Sequence, residues 1–304
     1  MTSTIENEIA ERVRRIETTP AIPAIFLPLL EMLSAPPDQV KLDKVVELVS
    51  YDNTIAAQCL RVASSPLFGM TKSPESIKGA VISLGLRRVE TILLTCCLSQ
   101  AFPSRNWIID PGVFWRHSLG CAMVCRRFAE KLKGVDSDEA YMAGLLHDIG
   151  FLVNCLAFPD EFSLAMDCAA RQQMPFDEAE LETMGFTHQD TGKALAKQWH
   201  LGARIAQVVA FHHAPEQSEP SAQPLAALVH LSDLLCRMRG LGYGYYEGRR
   251  VDLAGHPAWD ILLREHRELE GVDLVRFTFE LDEAVGEVQE LVATIFGVPA
   301  AAKA

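Results

Sequence analysis

Apolar residues recur at helical spacing through the first hundred positions of the chain. These stripes predict helices at about 5–16, 24–34, 42–49, 54–64, 77–84 and 87–101. Asp52 stands where it would cap the fourth of these helices, and Gly85 separates the last two. Residues 91–102 are almost entirely apolar, so we expect the sixth helix to lie at the centre of a helical core.

The same period continues through the rest of the chain. It predicts helices at about 113–132, 136–146, 151–158, 160–173, 203–213, 225–238 and 279–296, and a turn at 185–192 that leads into a helix ending at Trp199. Turn-rich or polar connections are expected at 65–75, 214–224 and 240–248, and an acidic segment at 177–182 follows Pro175. No stretch shows strand alternation with hairpin turns, so the sequence predicts an all-α protein.

The segment 103–111 contains two prolines and no clear period, which predicts a boundary. We therefore expect an N-terminal helical lobe over residues 1–105 and a helical core over 106–240. Residues 241–304 would form a loop and helices that complete this core.

Composition and net charge argue against some classes of function. The 304 residues are 49% hydrophobic and 22% charged, as in globular proteins, and the net charge of −12 argues against binding to nucleic acid or to an anionic membrane. No signal-peptide core and no run of roughly 18 apolar residues occurs, which predicts a cytoplasmic protein. None of the eight cysteines forms a C-x-x-C pair, so we expect reduced thiols; Cys121 and Cys125 are i,i+4 neighbours, but without further cysteines a structural zinc site is not expected.

One stretch carries candidate chemistry. An apolar helical run ends at His147-Asp148, and Gly150 follows almost at once. Adjacent helical residues point about 100° apart, so these two side chains would converge on one ion most easily at a helix end. Gly150 would permit the necessary turn through a positive φ. If no further ligands occur in the chain, the same residues are explained as an ordinary helix C-terminus, with a histidine near the negative end of the helix dipole.

Further candidates occur before and after this corner. Taken singly, each histidine has an ordinary explanation as a core residue, a neighbour of a helix cap or a cation at a helix end. Asp233 is harder to explain, because a carboxylate inside an apolar helix is rarely buried without a partner. Together these residues favour a shared metal centre, and they are His117, His188, His212, His213 and Asp233.

This His…His-Asp…Asp pattern resembles the HD superfamily of metal-dependent phosphohydrolases. Other stretches are similar to the HDOD family, the HD-related output domain, over residues 15–240. The similar stretches are 22–25, 51–52, 60–65, 67–69, 77–86, 114–118, 143–150, 185–188 and 211–213. The resemblance implies an all-α, two-lobed fold in which a family-specific helical lobe packs on an HD-like core, and a role in bacterial signal transduction.

The resemblance also implies a ligand set. The ligands of mononuclear HD enzymes match His117, His147, Asp148 and Asp233. The additional histidines of the dinuclear HD-GYP relatives match His188, His212 and His213, with Asp148 bridging two ions. One or two ions of Fe, Mn, Zn or Mg are therefore expected. His230, three residues before Asp233, is either its outer partner or half of a polar core pair.

Three departures argue against catalysis. HD enzymes commonly place a lysine after His-Asp-Ile-Gly, where this chain has Phe151 and so lacks that charge for a phosphate. The GYP motif is absent after His213, and the usual Leu-Ala-Asn-Ser of the N-terminal lobe reads Val-Ala-Ser-Ser at 62–65. Five arginines could still contact an anion or could lie on solvated helix faces, and they are Arg87, Arg88, Arg116, Arg126 and Arg127.

The sequence therefore favours a non-enzymatic signalling module with an HD-type site. Its partner is expected to be a signalling protein or a small nucleotide ligand. The alternative is an active metal-dependent phosphohydrolase that acts on a nucleotide or a cyclic dinucleotide.

Overall fold

The structure, a computed structural model, describes residues 25–34, 39–65, 73–102, 107–243, 255–271 and 286–293, with positions 9, 11, 253 and 295. Within these residues every regular element is a helix, which confirms the predicted all-α class. Some predicted features lie outside the described residues: most of the opening helix, positions 66–72 of the first connection, 103–106 of the boundary, 244–248 of the last loop and the start of the final helix.

Five helices form the described N-terminal part. They are α1 (Phe26–Ser34), α2 (Leu42–Ser50), α3 (Asn53–Ala63), α4 (Ile77–Leu84) and α5 (Leu86–Ala101). The Asp52 carboxylate accepts hydrogen bonds from the backbone N–H groups of Thr54 and Ile55, so it caps α3 as predicted. Gly85 has a φ of 87°, which lets the chain turn between α4 and α5.

Nine helices follow. They are α6 (Pro111–Ala129), α7 (Ser137–Leu146), α8 (Ile149–Ala157), α9 (Pro159–Gln172), α10 (Phe176–Met184), α11 (His188–Gln198), α12 (Ala203–Phe211), α13 (Gln223–Met238) and α14 (Pro257–Glu265). Short 3₁₀ helices occupy Pro215–Gln217 and Arg267–Gly271, and residues 286–293 are helical. The pattern did not predict α10 and α14, because acidic residues dominate the first and the second lies beyond the strongly periodic region.

The core is arranged around α5, α6 and α7. One apolar cluster extends from Ile9 to Ile295 and includes residues of α5, α6 and α8, while a second joins α6, α7, α13 and α14. All eight cysteines are free thiols, and only Cys168 is not buried. The boundary between residues 105 and 106 stays a prediction.

One apolar segment tests the expectation of no membrane span. Among the described residues, Ser137–Ala157 is long and apolar enough to cross a membrane by length and composition. However, 89% of its apolar window is buried inside the structure, as in the core helix of a globular protein.

Gly150 has a different role from the one predicted. It lies inside α8 and is not among the described residues with positive φ, so the prediction of a left-handed turn there was wrong. Instead, α8 packs so closely on α11 that a Cβ atom at this position would lie 1.8 Å from the His188 carbonyl oxygen and 2.6 Å from the Gly192 nitrogen. The glycine therefore permits the close approach of two helices that carry site residues.

Candidate metal centre

The packing of six helices, α6, α7, α8, α11, α12 and α13, brings all seven predicted donors into one cluster. His117 lies within α6, His147 and Asp148 form the turn between α7 and α8, and His188 begins α11. His212 and His213 follow the last residue of α12, and Asp233 lies within α13. Six of the seven are buried and His213 is half-buried. Whether they bind an ion stays a prediction, but their convergence is a property of the fold.

The donors form two groups that meet at Asp148. One group contains His117, Cys121, His147 and Asp233, and the other contains Asp148, His188, His212 and His213. Within each group, one donor atom per residue lies within 4.8 Å of all the others.

Asp148 turns one carboxylate oxygen toward each group. Its Oδ2 atom lies 3.3 Å from His117 Nε2 and 3.2 Å from His147 Nε2. Its Oδ1 atom lies 3.1 Å from His212 Nε2 and 3.5 Å from His188 Nε2. The carboxylate is therefore placed to be shared by both groups.

Four of the histidines are oriented in the same way. Each Nδ1 atom faces a fixed acceptor: the Leu241 carbonyl for His117, the Gly144 carbonyl for His147, Glu180 for His188 and the Val209 carbonyl for His212. A proton on Nδ1 leaves a lone pair on Nε2, and the four Nε2 atoms point into the cluster. Two pairs of these atoms lie 3.3 Å apart, one joining His117 to His147 and the other His188 to His212.

Acidic side chains dominate the charge around the cluster. Burial disfavours the charged form of His117, yet the Asp148 and Asp233 carboxylates raise the pKa of this imidazole to about 10. Burial likewise opposes charge on His188, but Glu180 raises its pKa to about 9. Burial lowers the pKa of His212 to about 4. The carboxylates that favour a proton on two of the imidazoles would also favour a metal cation.

Outer residues hold the donors in place. Glu180 Oε2 accepts from both the backbone N–H and the Nδ1 atom of His188, at 2.9 and 2.5 Å, and Asn154 donates to Glu180 Oε1 at 2.8 Å. Arg237 donates to Asp233 Oδ1 from Nε at 2.8 Å, which fixes that carboxylate. Orienting partners of this kind accompany the ligands of most protein metal sites.

An aromatic group covers one side of the cluster. The Tyr243 hydroxyl donates to Asp148 Oδ2 at 2.8 Å. Its ring stacks on Phe151, with centroids 4.2 Å apart and planes inclined by 10°, and lies 4.4 Å from the His117 ring. The Phe114 ring lies beside this pair, with its centroid 6.3 Å from that of Phe151 and 6.2 Å from that of Tyr243.

The donor set fits a divalent metal ion. Asp148 Oδ1 is fully buried and has no hydrogen-bond donor among the described residues, although an isolated buried carboxylate oxygen is costly. The atoms nearest to it are imidazole nitrogens whose lone pairs would repel it unless a cation or proton lay between them. Imidazole and carboxylate ligands suit Fe, Mn and Zn.

Four residues of the site were not predicted. Cys121 and Arg237 each lie four positions after a predicted donor on the same helix, a spacing that could have indicated them. Glu180 shares the buried face of α10 with Phe176 and Ala179, a helical spacing hidden among exposed acids. Tyr243 follows a helix in a loop, and nothing in the sequence pattern indicates its contact.

His230 is a buried polar residue, but its described partners differ from the expected Asp233. Its Nδ1 atom faces the His212 carbonyl oxygen at 2.7 Å, and its Nε2 atom lies 3.3 Å from His256 Nε2. It therefore supports the backbone of His212, and its described contacts are not with the Asp233 carboxylate.

The five arginines all pair with carboxylates. Arg87 contacts Glu90, Arg126 contacts Asp138 at 2.6 Å, and Arg127 contacts Glu287 at 2.7 Å. Arg88 and Arg116 lie 3.7 Å from Glu130 and Asp110. Each of these guanidinium groups thus has an acidic neighbour within 3.7 Å.

Comparison with known proteins gives one family. The family model of the HDOD domain matches residues 19–215, which include every predicted donor except Asp233. An uncharacterised protein of Treponema pallidum (strain Nichols) is 25% identical over 228 residues, 73% of this chain and 43% of the relative. The chain thus spans less than half the length of this curated relative.

Solved structures share the fold. An HDOD domain protein of unknown function from Geobacter sulfurreducens is 28% identical with a TM-score of 0.80, covering 96% of this chain and 99% of that one. A candidate phosphohydrolase from Shewanella amazonensis SB2B is 20% identical with a TM-score of 0.71, covering 93% and 97%. A candidate signal transduction protein from Marinobacter aquaeolei VT8 is 20% identical with a TM-score of 0.75, covering 96% and 66%. At this identity, the last two show the fold alone.

Proposed function

This chain belongs to the HDOD domain family, and on that premise we propose that it is a bacterial, cytoplasmic regulatory module that holds a divalent metal ion without hydrolysing phosphate esters. The aromatic cover over Asp148 is the observation that carries the proposal. The Tyr243 hydroxyl donates a hydrogen bond to the carboxylate that both donor groups share, and its ring stacks on Phe151.

The aromatic side chains lie where a phosphate ester would need a positively charged group. Phe151 is fully buried at the position where the resemblance leads us to expect a lysine. A phosphate would meet an apolar ring there instead of an ammonium group. The five arginines offer no substitute, because each is paired with an acid elsewhere.

The metal would be held by His117, His147 and Asp233 on one side of Asp148 and by His188, His212 and His213 on the other. A bound ion of this kind can polarise a phosphoryl oxygen and lower the pKa of a bound water. In this chain we assign the donors a structural or sensing role, since Asp148 Oδ2 accepts a hydrogen bond from the Tyr243 hydroxyl and Glu180 fixes the orientation of His188.

The partner that responds to this module is proposed to be a signalling protein or a small nucleotide that is bound without cleavage. Titration calorimetry with cyclic nucleotides distinguishes these two partners. Heat of binding without product formation supports the nucleotide, and no heat argues against the cyclic nucleotides tested.

A metal-dependent phosphohydrolase is the second candidate, because the predicted donors are complete and His213 is half-buried. The test measures metal content of the purified chain and its activity on a cyclic dinucleotide and a nucleoside monophosphate, with Mn²⁺ or Fe²⁺ added. We expect bound metal and no turnover above that of Asp148→Ala. Turnover that disappears in Asp148→Ala would favour the second candidate. If the purified chain contains no metal, metal binding is excluded from both candidate functions.

A further inference from the structure

We propose that Cys121 is a ligand of the metal centre, so that the group His117, Cys121, His147 and Asp233 prefers an ion with affinity for sulfur, such as Zn²⁺, over Mg²⁺ or Mn²⁺. This inference rests on the proposed metal-binding function and adds to it the chemical class of the ion. The ligand set that the resemblance implies contains only histidine and aspartate.

The helix α6 places the thiol beside a predicted ligand. Cys121 follows His117 by four residues, so both side chains lie on one face of the helix. The distance from Cys121 Sγ to His117 Nε2 is 3.7 Å, and the thiol is fully buried. Its donor atom lies within 4.8 Å of those of His147 and Asp233 as well.

The three separations from His117 Nε2 to the other donors of the group fall in the range for tetrahedral coordination. Ligands held at roughly 2.0–2.3 Å by a tetrahedral Zn²⁺ lie roughly 3.3–3.7 Å from one another. His117 Nε2 is 3.3 Å from His147 Nε2, 3.3 Å from Asp233 Oδ1 and 3.7 Å from Cys121 Sγ. Two imidazoles, one carboxylate and one thiolate form a donor set that zinc accepts.

A hydrogen bond from the thiol to His117 is the simpler account of the same contact. However, His117 Nε2 already faces His147 Nε2 and carboxylate oxygens of Asp148 and Asp233, all at 3.3 Å. A proton on Nε2 would account for the approach of the two carboxylate oxygens, but the second imidazole nitrogen and the thiol are also ligand atoms, and a metal cation between them would accommodate all four groups. On binding, the metal–sulfur bond forms and the thiol proton leaves to water.

Cobalt substitution tests the inference on the full chain. The purified protein is stripped with a chelator, dialysed and loaded with Co²⁺ alone, which absorbs in the near ultraviolet when a thiolate coordinates it. We expect this sulfur-to-cobalt band in the wild type and in Cys125→Ser, and its loss in Cys121→Ser. Cys125 is the matched control because it is buried one turn further along α6 and is not among the described donors.

Zinc affinity gives a second readout. Competition with a chromophoric chelator should show at least about a tenfold loss of Zn²⁺ affinity in Cys121→Ser, while Mn²⁺ affinity changes by less than about twofold, because a thiolate favours softer ions. Equal losses for both ions would overturn the preference for zinc.

The outcomes separate this inference from the function on which it rests. If elemental analysis finds no cobalt in the loaded wild type, the proposed metal centre fails. If cobalt is bound without the sulfur band, Cys121 is not a ligand and the metal centre stands. Absence of the band from the wild-type spectrum would overturn the inference even if Cys121→Ser does not fold, and its persistence in Cys125→Ser excludes that neighbouring thiol as the source.

Discussion

The orientation of each imidazole depends on the group that its second ring nitrogen meets. For His117, His147 and His212 this group is a backbone carbonyl, which no substitution can remove. For His188 it is the buried carboxylate of Glu180, which also accepts the His188 backbone N–H. Glu180 is therefore the one orienting group of these four that mutation can test.

Glu180→Gln should weaken metal retention by roughly 10–100-fold, as is typical when a partner of a metal-bound histidine is lost. The amide is similar in size but carries no charge to hold the Nδ1 proton of His188. Chelator competition measures the change, with urea unfolding to separate it from a loss of stability. Glu182→Gln, an exposed acid on the same helix, is the matched control. Unchanged metal affinity in Glu180→Gln would show that Glu180 contributes to packing but not to metal binding.

Glu90 predicts a dependence of stability on pH. Burial raises the pKa of Glu90 from 4.5 to about 7, and the Arg87 guanidinium 3.4 Å away only partly opposes this. Because the folded state holds the proton more tightly, this contribution to stability is present below about pH 4.5 and is lost as pH rises through about 7.

Glu90→Gln should therefore unfold at higher urea concentration than the wild type above pH 7, with a gain of about 1–3 kcal/mol in the free energy of unfolding. The gain should shrink toward pH 5. Urea titrations at several pH values measure it, and Glu130→Gln serves as a control, because this acid is exposed. A gain that is the same at pH 5 and pH 8 would show that charge on Glu90 is not its cause.

Residue types, and a resemblance that depends on them, were enough to predict the seven residues that the fold brings into one cluster. They were not enough to predict Cys121, Glu180 or Tyr243, because what distinguishes these residues is their neighbours. A buried acid in an acidic segment looks like its exposed neighbours, and a tyrosine in a loop carries no periodicity. Only packing shows that Glu180 faces inward and that Tyr243 reaches Asp148.

At the scale of elements, periodicity predicted helices well where one face is apolar. The predicted helix at 77–84 has the same bounds as α4, and the cap at Asp52 was confirmed. The approach of two helices was not predictable, because it depends on positions far apart in the chain. Gly150 on α8 lies against His188 and Gly192 on α11. The sequence around either glycine does not indicate that a glycine is needed there.

Gly150→Ala should destabilise the protein by about 3 kcal/mol or more and disturb the second donor group. The new methyl group would lie 1.8 Å from the His188 carbonyl oxygen, so α11 would have to move away together with its first residue. Urea unfolding measures the stability, and chelator competition measures the metal.

The control for this substitution is Gly286→Ala. A Cβ atom at Gly286 meets nothing within 4 Å, and the residue is exposed in a helix. Alanine there should stabilise the fold by about 0.5–1 kcal/mol, because glycine loses more backbone entropy in a helix. Equal effects at both positions would contradict the argument that close packing, and not helix propensity, requires Gly150.

At the scale of the molecule, the fold buries several carboxylates close together, away from the water that would solvate them. Asp148, Asp233 and Glu180 are all buried, and Arg237 is paired with Asp233. These groups come from helices separated by up to about a hundred positions, so no local pattern could have predicted their distances. Burying such charges costs several kcal/mol per ion unless an opposite charge compensates.

Metal removal tests whether that opposite charge is a cation. An ion present at 100 times its Kd stabilises the folded state by about 2.7 kcal/mol. For a chain of 304 residues, stripping the metal with a chelator should lower the Tm by roughly 4 °C, and adding the metal back should restore it. Scanning calorimetry measures both steps. Asp148→Ala should show no shift, because it lacks the carboxylate shared by the two donor groups. If a wild-type chain shown to carry metal melts at the same temperature with and without chelator, the protein itself compensates the buried charges, through the imidazolium that His117 and His188 form beside them.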